Sequence, residues 1–338
     1  VSPRAWLPLL ALLAALALTA LLPARTPPPP VRSSLRVGLV FDVGGRGDKS
    51  FNDAAYAGLL EAARLDGISF ELAEPSGAED REGAMRLFAA RKFDLILGIG
   101  YIFTRDITEV ARSFPGSRFA CVDYAGDGET PGNLVGLRFR EEEGAFLVGA
   151  AAGAESESKH VGFVGGMNIE LIRRFEAGYR AGVREVCAGC EVHVAYAGTT
   201  PEAFRDPLRG KAITASQIAS GADVIFHASG LTGSGVFEAA RAAGKRAIGV
   251  DRDQYDEAPG VVMTSMVKRV DTVVREVIRE VAAGTFRPGV RSFGVREGGV
   301  DWVHEGPHAA GLRPGTVEAV ERLRGRIASG ELRVPSAP

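Results

Sequence analysis

Cysteine, histidine, lysine and tryptophan are all scarce in this chain of 338 residues, and each shortage excludes something. Three cysteines cannot build a disulfide scaffold. Five histidines show no H-E-x-x-H or other metal spacing, so no metal site is expected from the sequence. Most of the 40 Lys and Arg residues are arginine, which reads as genome base composition rather than chemistry. They nearly balance 42 Asp and Glu, for a formal net charge of −2. No one-signed field of the kind that gathers nucleic acid exists. No G-x-S-x-G elbow is present. The Gly-rich stretch Gly44–Asp53 does not hold phosphate either. Asp48 separates Gly47 from Lys49, there is no G-x-G-x-x-G, and Asp42 just upstream repels an anion.

What is present begins with an address. Ala5 to Leu22 is an apolar run broken only by Pro8 and Thr19 and preceded by Arg4. A basic start before a Leu/Ala-rich stretch marks a secretory signal, although the run also approaches the ~20 residues that span a bilayer. Residues 1–24 therefore read as a signal peptide cleaved after Ala24, with retention as an N-terminal anchor over residues 5–22 as the alternative. Leu22 is a poor small-residue match for cleavage, and no cysteine stands nearby to accept a lipid. Residues 25–35, with Pro27 to Pro30, read as a stiff spacer. The folded part is expected outside the cytoplasm, in the periplasm or at the cell surface.

Beyond the spacer, apolar β-branched runs alternate with helical spacing twice over: LRVGLVFDV, FDLILGI and RFACVD in one series, HVGFV, ADVIF and RAIGV in the next. Near-continuous apolar strands alternating with helices predict an α/β protein of two doubly wound parallel-sheet lobes. In such sheets ligands sit beyond the carboxyl ends of the strands, and pockets favour domain interfaces. That rule picks out Asp42, Asp123 and Asp251, each closing a strand, with Phe51 and Asn52 at the first helix entrance, where Ser50, Asn52 or Asp53 is the expected N-cap. It also picks out Lys268, Phe204 and the segment His227–Gly230. Each such carboxylate costs desolvation unless something satisfies it. His227 reads as a polar contact rather than a base. Cys121 reads as core. Cys187 and Cys190 read as a local disulfide or free thiols. Glu141-Glu142-Glu143 reads as a solvated helix start suited to the helix dipole.

The blocks DVGGRGDKSFNDAAYAGL, LRFREEEGAFLVGAAAG, GFVGGMN and GADVIFHASGLTGSGVFEAA, followed by IGVDRDQ and VMTSMVKRVD, resemble the basic membrane protein family of solute-binding proteins. The likeness runs from about Val37 to Val303, with all six blocks in order. It implies a hinged, periplasmic binding protein type I-like fold and the role of extracytoplasmic receptor for an ABC importer, with permease and ATPase subunits as partners. It further implies a purine nucleoside as ligand (guanosine, inosine or adenosine), no cofactor and no enzymatic activity. Asp42, Asn52 and Asp123 would contact the base and Phe51 stack on it. Asp251 and Lys268 would hold the ribose hydroxyls, with Gly230 in the lining loop. A second aromatic is expected opposite Phe51, and Phe204 and Phe226 are equal candidates. The family's lipobox cysteine is absent.

The residues agree with such a ligand on physical grounds. Stacking on Phe51 contributes ~1–3 kcal/mol, and each charge-assisted hydrogen bond roughly 1.5–3 kcal/mol. Three acids against one lysine favour a neutral, donor-rich molecule over a nucleotide. Crossovers are expected near Phe139, near Met266 and after Ala283, giving lobe 1 as 36–138 plus 267–290 and lobe 2 as 139–266 plus 291–338. A monomer is expected, with no nucleic-acid partner, and no role is assigned to residues 304–338. A membrane-anchored nucleoside sensor and, less favoured, a nucleoside-processing enzyme are the other readings.

Overall fold

The computed structural model of the protein describes residues 35–75 and 78–338. The expected signal and nearly all of the spacer lie outside the described residues. The chain begins with β1 (Arg36–Val40), α1 (Phe51–Asp66), β2 (Ser69–Ala73), α2 (Ala78–Ala90), β3 (Leu95–Ile99), α3 (Thr104–Ser113), β4 (Arg118–Val122) and β5 (Leu134–Phe139). It continues through α4 (Glu141–Glu155), β6 (His160–Met167), α5 (Glu170–Val186), β7 (Glu191–Gly198), α6 (Pro207–Ala219) and β8 (Val224–Ala228). Then follow α7 (Gly233–Ala242), β9 (Arg246–Asp251), β10 (Val262–Lys268), α8 (Val270–Ala282), β11 (Gly289–Phe293), β12 (Val300–Trp302) and α9 (Pro314–Ser329).

Two six-stranded sheets result, ordered β11-β5-β4-β3-β1-β2 and β12-β10-β9-β8-β6-β7. The first is parallel throughout, and the second departs only where β12 runs antiparallel to β10. Both therefore place the strand-order reversal at their first and third strands, which opens a crevice at the strands' carboxyl ends. The central strands are buried along their whole length, as in Leu95–Ile99 and Val224–Ala228. That burial explains why their sequences are unbroken apolar runs. Helix α4 is buried almost all round. Glycines let it approach α5 backbone to backbone, since a Cβ at Gly178 would meet the Glu142 carbonyl.

Pairing sets the crossovers a few residues from where the sequence suggested. Residues 267 and 268 stay in the second lobe, because β10 pairs with β9 to Val267 and with β12 to Lys268. Residues 291–293 belong to the first lobe, because β11 pairs with β5 from Gly289 to Phe293. Helix α8 packs on α1, with Arg275 reaching Glu61 and Asp66. The C-terminal α9 closes on the second lobe, where Trp302 Nε1 donates to Glu321 at 2.8 Å. No helix among the described residues is long and apolar enough to cross a membrane.

Candidate functional site

One cavity of about 650 Å³, its mouth included, lies where the carboxyl ends of the two sheets face each other. Eight of the nine residues singled out from sequence border it: Asp42, Phe51, Asn52, Asp123, Phe204, Gly230, Asp251 and Lys268. Phe226 does not. It is fully buried inside the second lobe, against Phe163, Phe175 and Tyr179. Of the two aromatics left open by the sequence, only Phe204 is at the cavity, and Phe226 is core.

The strand-end acids are held in unusual backbone geometry. Asp123 (φ 60°) and Asp251 (φ 66°) both adopt the left-handed conformation, which Asp tolerates better than bulkier residues and which recurs at functional sites. Asp42 owes its place to a neighbour. Gly100 (φ 120°) follows β3, and a Cβ there would collide with the Asp42 carboxylate. Gly166 makes room for the Phe204 ring in the same way. Burial pushes Asp42 and Asp251 up to about 6; Val43 N–H partly opposes this at Asp42, and Lys268 and Ser50 at Asp251.

Lys268 is the centre of the electrostatics. Its Nζ is 2.6 and 2.8 Å from the Asp123 oxygens and 3.1 Å from Glu141 Oε1. The rings of Phe51, Phe139 and Phe175 surround the ammonium at 5.1, 5.0 and 5.8 Å from their centroids. Burial alone would lower the pKa of this lysine, but Asp123, Glu141 and Asp251 outweigh it and raise it well above the ordinary value. A buried charge persists only when paired in this way.

Glu141 overturns the expectation of a solvated helix start. It is 1% exposed and Glu142 is 8% exposed. Burial pushes Glu141 up to about 7, with Lys268 opposing and Asp123 adding to the rise. The N-cap expectation changes as well. Ser50 stands in the cap position of α1 without capping it. Its hydroxyl donates across the cleft to Asp251. The carboxylate of Asp48 receives the Ser50, Asn52 and Asp53 N–H groups instead, at 2.9, 2.8 and 3.1 Å. Gln254 Nε2 also crosses the cleft, donating to the Lys49 carbonyl at 2.9 Å. Its Oε1 stands 3.1 Å from His227 Nε2. His227 is wholly buried away from the cavity, and its pKa is lowered to about 4 by that burial. Cys121 is buried in β4, and Cys187 and Cys190 form a disulfide.

The sequence reading missed Asp48, Tyr101, Leu171, Ile172 and Phe175 in the cavity wall. Tyr101 comes two residues after the end of β3, and Leu171 is the second residue of α5, four residues after the end of β6, so a search of the residues after every strand end would have raised them. The arrangement suits an uncharged molecule with an apolar face and several polar hydrogens. Four carboxyl groups and a single cation line the wall.

Two doubly wound lobes with an acid-rich slot between their strand ends define a solute-binding protein of the periplasmic binding protein type. The profile of the family described as "ABC transporter substrate-binding protein PnrA-like" matches residues 35–336. The chain is 34% identical over 324 residues to the CD4+ T-cell-stimulating antigen of Listeria monocytogenes, covering 89% of this chain and 88% of that one. It is 30% identical over 331 residues to the ABC transporter nucleoside-binding protein BmpA of Lactococcus lactis subsp. cremoris, covering 90% of each. A solute-binding protein of an ABC transporter system from Aeropyrum pernix K1 superposes with a TM-score of 0.81 at 28% identity, covering 89% of this chain and 93% of that one. The chain belongs to the PnrA-like family of ABC transporter substrate-binding proteins.

Proposed function

We propose that this substrate-binding protein captures a neutral purine nucleoside between its lobes, outside the cytoplasm, and delivers it as a monomer to the permease and ATPase subunits of an importer. One observation carries the reading: acids from both lobes and a single buried lysine surround a cavity walled by Phe51, Phe175 and Phe204. The base lies against Phe51 and the second lobe's Phe204, with Asp42, Asn52 and Asp123 accepting from or donating to its edge. Asp251 and Lys268 take the ribose hydroxyls, and Gly230 lines the approach. A phosphate is disfavoured by the surplus of carboxylates. The Lactococcus lactis relative, described as nucleoside-binding, supports the same assignment. Ligand contacts from both lobes stabilise the closed arrangement by differential affinity, the means by which a receptor reports occupancy.

Calorimetric titration with guanosine, inosine, adenosine, free bases and sugars tests this. A nucleoside is expected to bind, and Asp251→Ala to weaken it at least about tenfold, the equivalent of one charge-assisted hydrogen bond of ~1.5–3 kcal/mol, with the fold retained. Binding of sugars or peptides in place of nucleosides, or an unchanged affinity in Asp251→Ala, would refute the assignment.

A further inference from the structure

At the opposite end of the second lobe, the sheet assembles two imidazoles and a carboxylate that the sequence spacing did not reveal. Glu191 and His193 lie two residues apart on β7, so both side chains stand on one face of the sheet. Parallel pairing sets His160, the first residue of β6, beside Glu191. His160 Nδ1 is 3.1 Å from His193 Nε2, and the two rings stack at 12° with centroids 5.3 Å apart. Glu191 reaches both rings, its Oε2 3.6 Å from His160 Nδ1 and its Oε1 3.7 Å from His193 Nδ1. One ligand atom from each of the three lies within 4.8 Å of the others.

The geometry points to a site for a zinc-class divalent cation held by His160, Glu191 and His193. In a tetrahedral site with metal–ligand bonds of ~2.0–2.2 Å, ligand atoms stand about 3.3 Å apart. The His160–His193 pair already stands at 3.1 Å, and side-chain rotation must bring one Glu191 oxygen and a single His193 nitrogen to that spacing from within 4.8 Å. Two imidazoles with one carboxylate suit Zn²⁺, Ni²⁺ or Cu²⁺ rather than Mg²⁺ or Ca²⁺, which take oxygen ligands. The rings are also braced from outside. His160 packs against Gly221, and the His193 carbonyl accepts from Gln217 Nε2 at 3.1 Å. The Cys187–Cys190 disulfide closes the turn immediately before Glu191. Both histidines keep a solvent-facing side, with His160 37% and His193 21% exposed. A fourth position is thus open to water. The site lies at the amino ends of β6 and β7, whereas the ligand cavity lies at the carboxyl ends, so the two can be tested apart. Its effect is to tie edge strand β7 to β6.

The test uses the full chain without an affinity tag, stripped with a chelator. Titration with Zn²⁺ followed by calorimetry should show one equivalent bound, and Co²⁺ should give the visible absorption of a four-coordinate site. Glu191→Gln, at an exposed position, is expected to weaken Zn²⁺ more than about tenfold. His193→Ala and His160→Ala should abolish the single-equivalent binding, whereas His304→Ala should leave it intact. Equal thermal midpoints of the variants and the parent in chelator would establish that they fold. No saturable uptake, or uptake that survives in both histidine variants, would overturn the proposal.

Discussion

Helix α4 begins and ends with a buried glutamate, and the two ends differ in how the charge is met. At its carboxyl end, Glu155 is enclosed by matched donors: Arg313 N at 2.9 Å, Thr316 Oγ1 at 2.6 Å and Arg246 Nη1 at 2.8 Å. Burial raises its pKa, but Thr316, Arg246 and Arg313 outweigh that, so the net shift is downward. At the amino end, Glu141 shares one lysine with Asp123 and Asp251, and its next cation, Arg174, is 4.0 Å away. Its net shift is upward. Both are buried carboxylates on one helix, yet one is saturated and the other shares its only close cation with two further acids. A saturated charge fastens elements together, here α9 to the second lobe. A set of acids sharing one lysine keeps acceptor capacity for something else, and two of that set, Asp123 and Asp251, line the cavity.

The largest effect that could break this contrast comes from Lys268→Ala. Without the ammonium, Asp123, Glu141 and Asp251 remain buried with no close counter-charge. Removing one partner from a buried pair costs about 3–5 kcal/mol. Urea unfolding should show a loss of that order, and calorimetry should show nucleoside affinity down roughly 10–100-fold, for lost bonds of ~1.5–3 kcal/mol each. If stability falls but affinity holds, the amino end of α4 is a structural tie like the other. Glu155→Gln sharpens the contrast from the opposite side. It leaves the shape and removes the charge, so stability should drop by ~1–3 kcal/mol with nucleoside affinity unchanged. A matching loss of affinity would mean the two ends are coupled through the helix.

How much of this the sequence discloses depends on whether a residue's fate is decided locally. Asp42, Asp123 and Asp251 are legible because an unbroken apolar strand ending in an acid fixes both burial and direction. The strand–helix alternation of both lobes is legible from the same unbroken apolar runs. Phe204 and Phe226 are not separable, since each lies within a few residues of a strand's carboxyl end and nothing local tells which ring turns outward. Only the packing of Phe226 against Phe163 and Tyr179 shows that it points into the lobe. Glu141 is misread because three consecutive glutamates look solvated. Its burial depends on where Lys268 lands, at the end of a strand far along the chain. β11 and β12 escape notice because they are short and interrupted by Arg, Ser and Asp.

The smallest expected effect lies in pH dependence, where the two ends of α4 should act in opposite directions. An unfolded glutamate releases its proton near 4.5, whereas folded Glu141 does so near 7. Between those values the folded protein holds a proton that the unfolded chain has lost, so stability falls as pH rises through the window. Asp42 and Asp251, raised to about 6, add to the same decline. Glu155 works the other way. Its folded pKa lies below the ordinary value, so its contribution is present above about 4.5 and is lost as the medium becomes more acidic. Urea midpoints measured from pH 2 to 8 should therefore sink from about 4 towards neutrality, with loss of the Glu155 contribution making an acid limb below about 4.5. Glu141→Gln cannot titrate, and it should remove part of the decline between about 4.5 and 7 while leaving the acid limb in place. Arg174, Lys268 and Asp123 face the same side chain, and all remain in that variant, so the change in slope reports Glu141 itself. If the slope above 4.5 is the same in Glu141→Gln as in the parent, Glu141 stays ionised under the hold of Lys268. The amino end of α4 would then be as saturated as the carboxyl end.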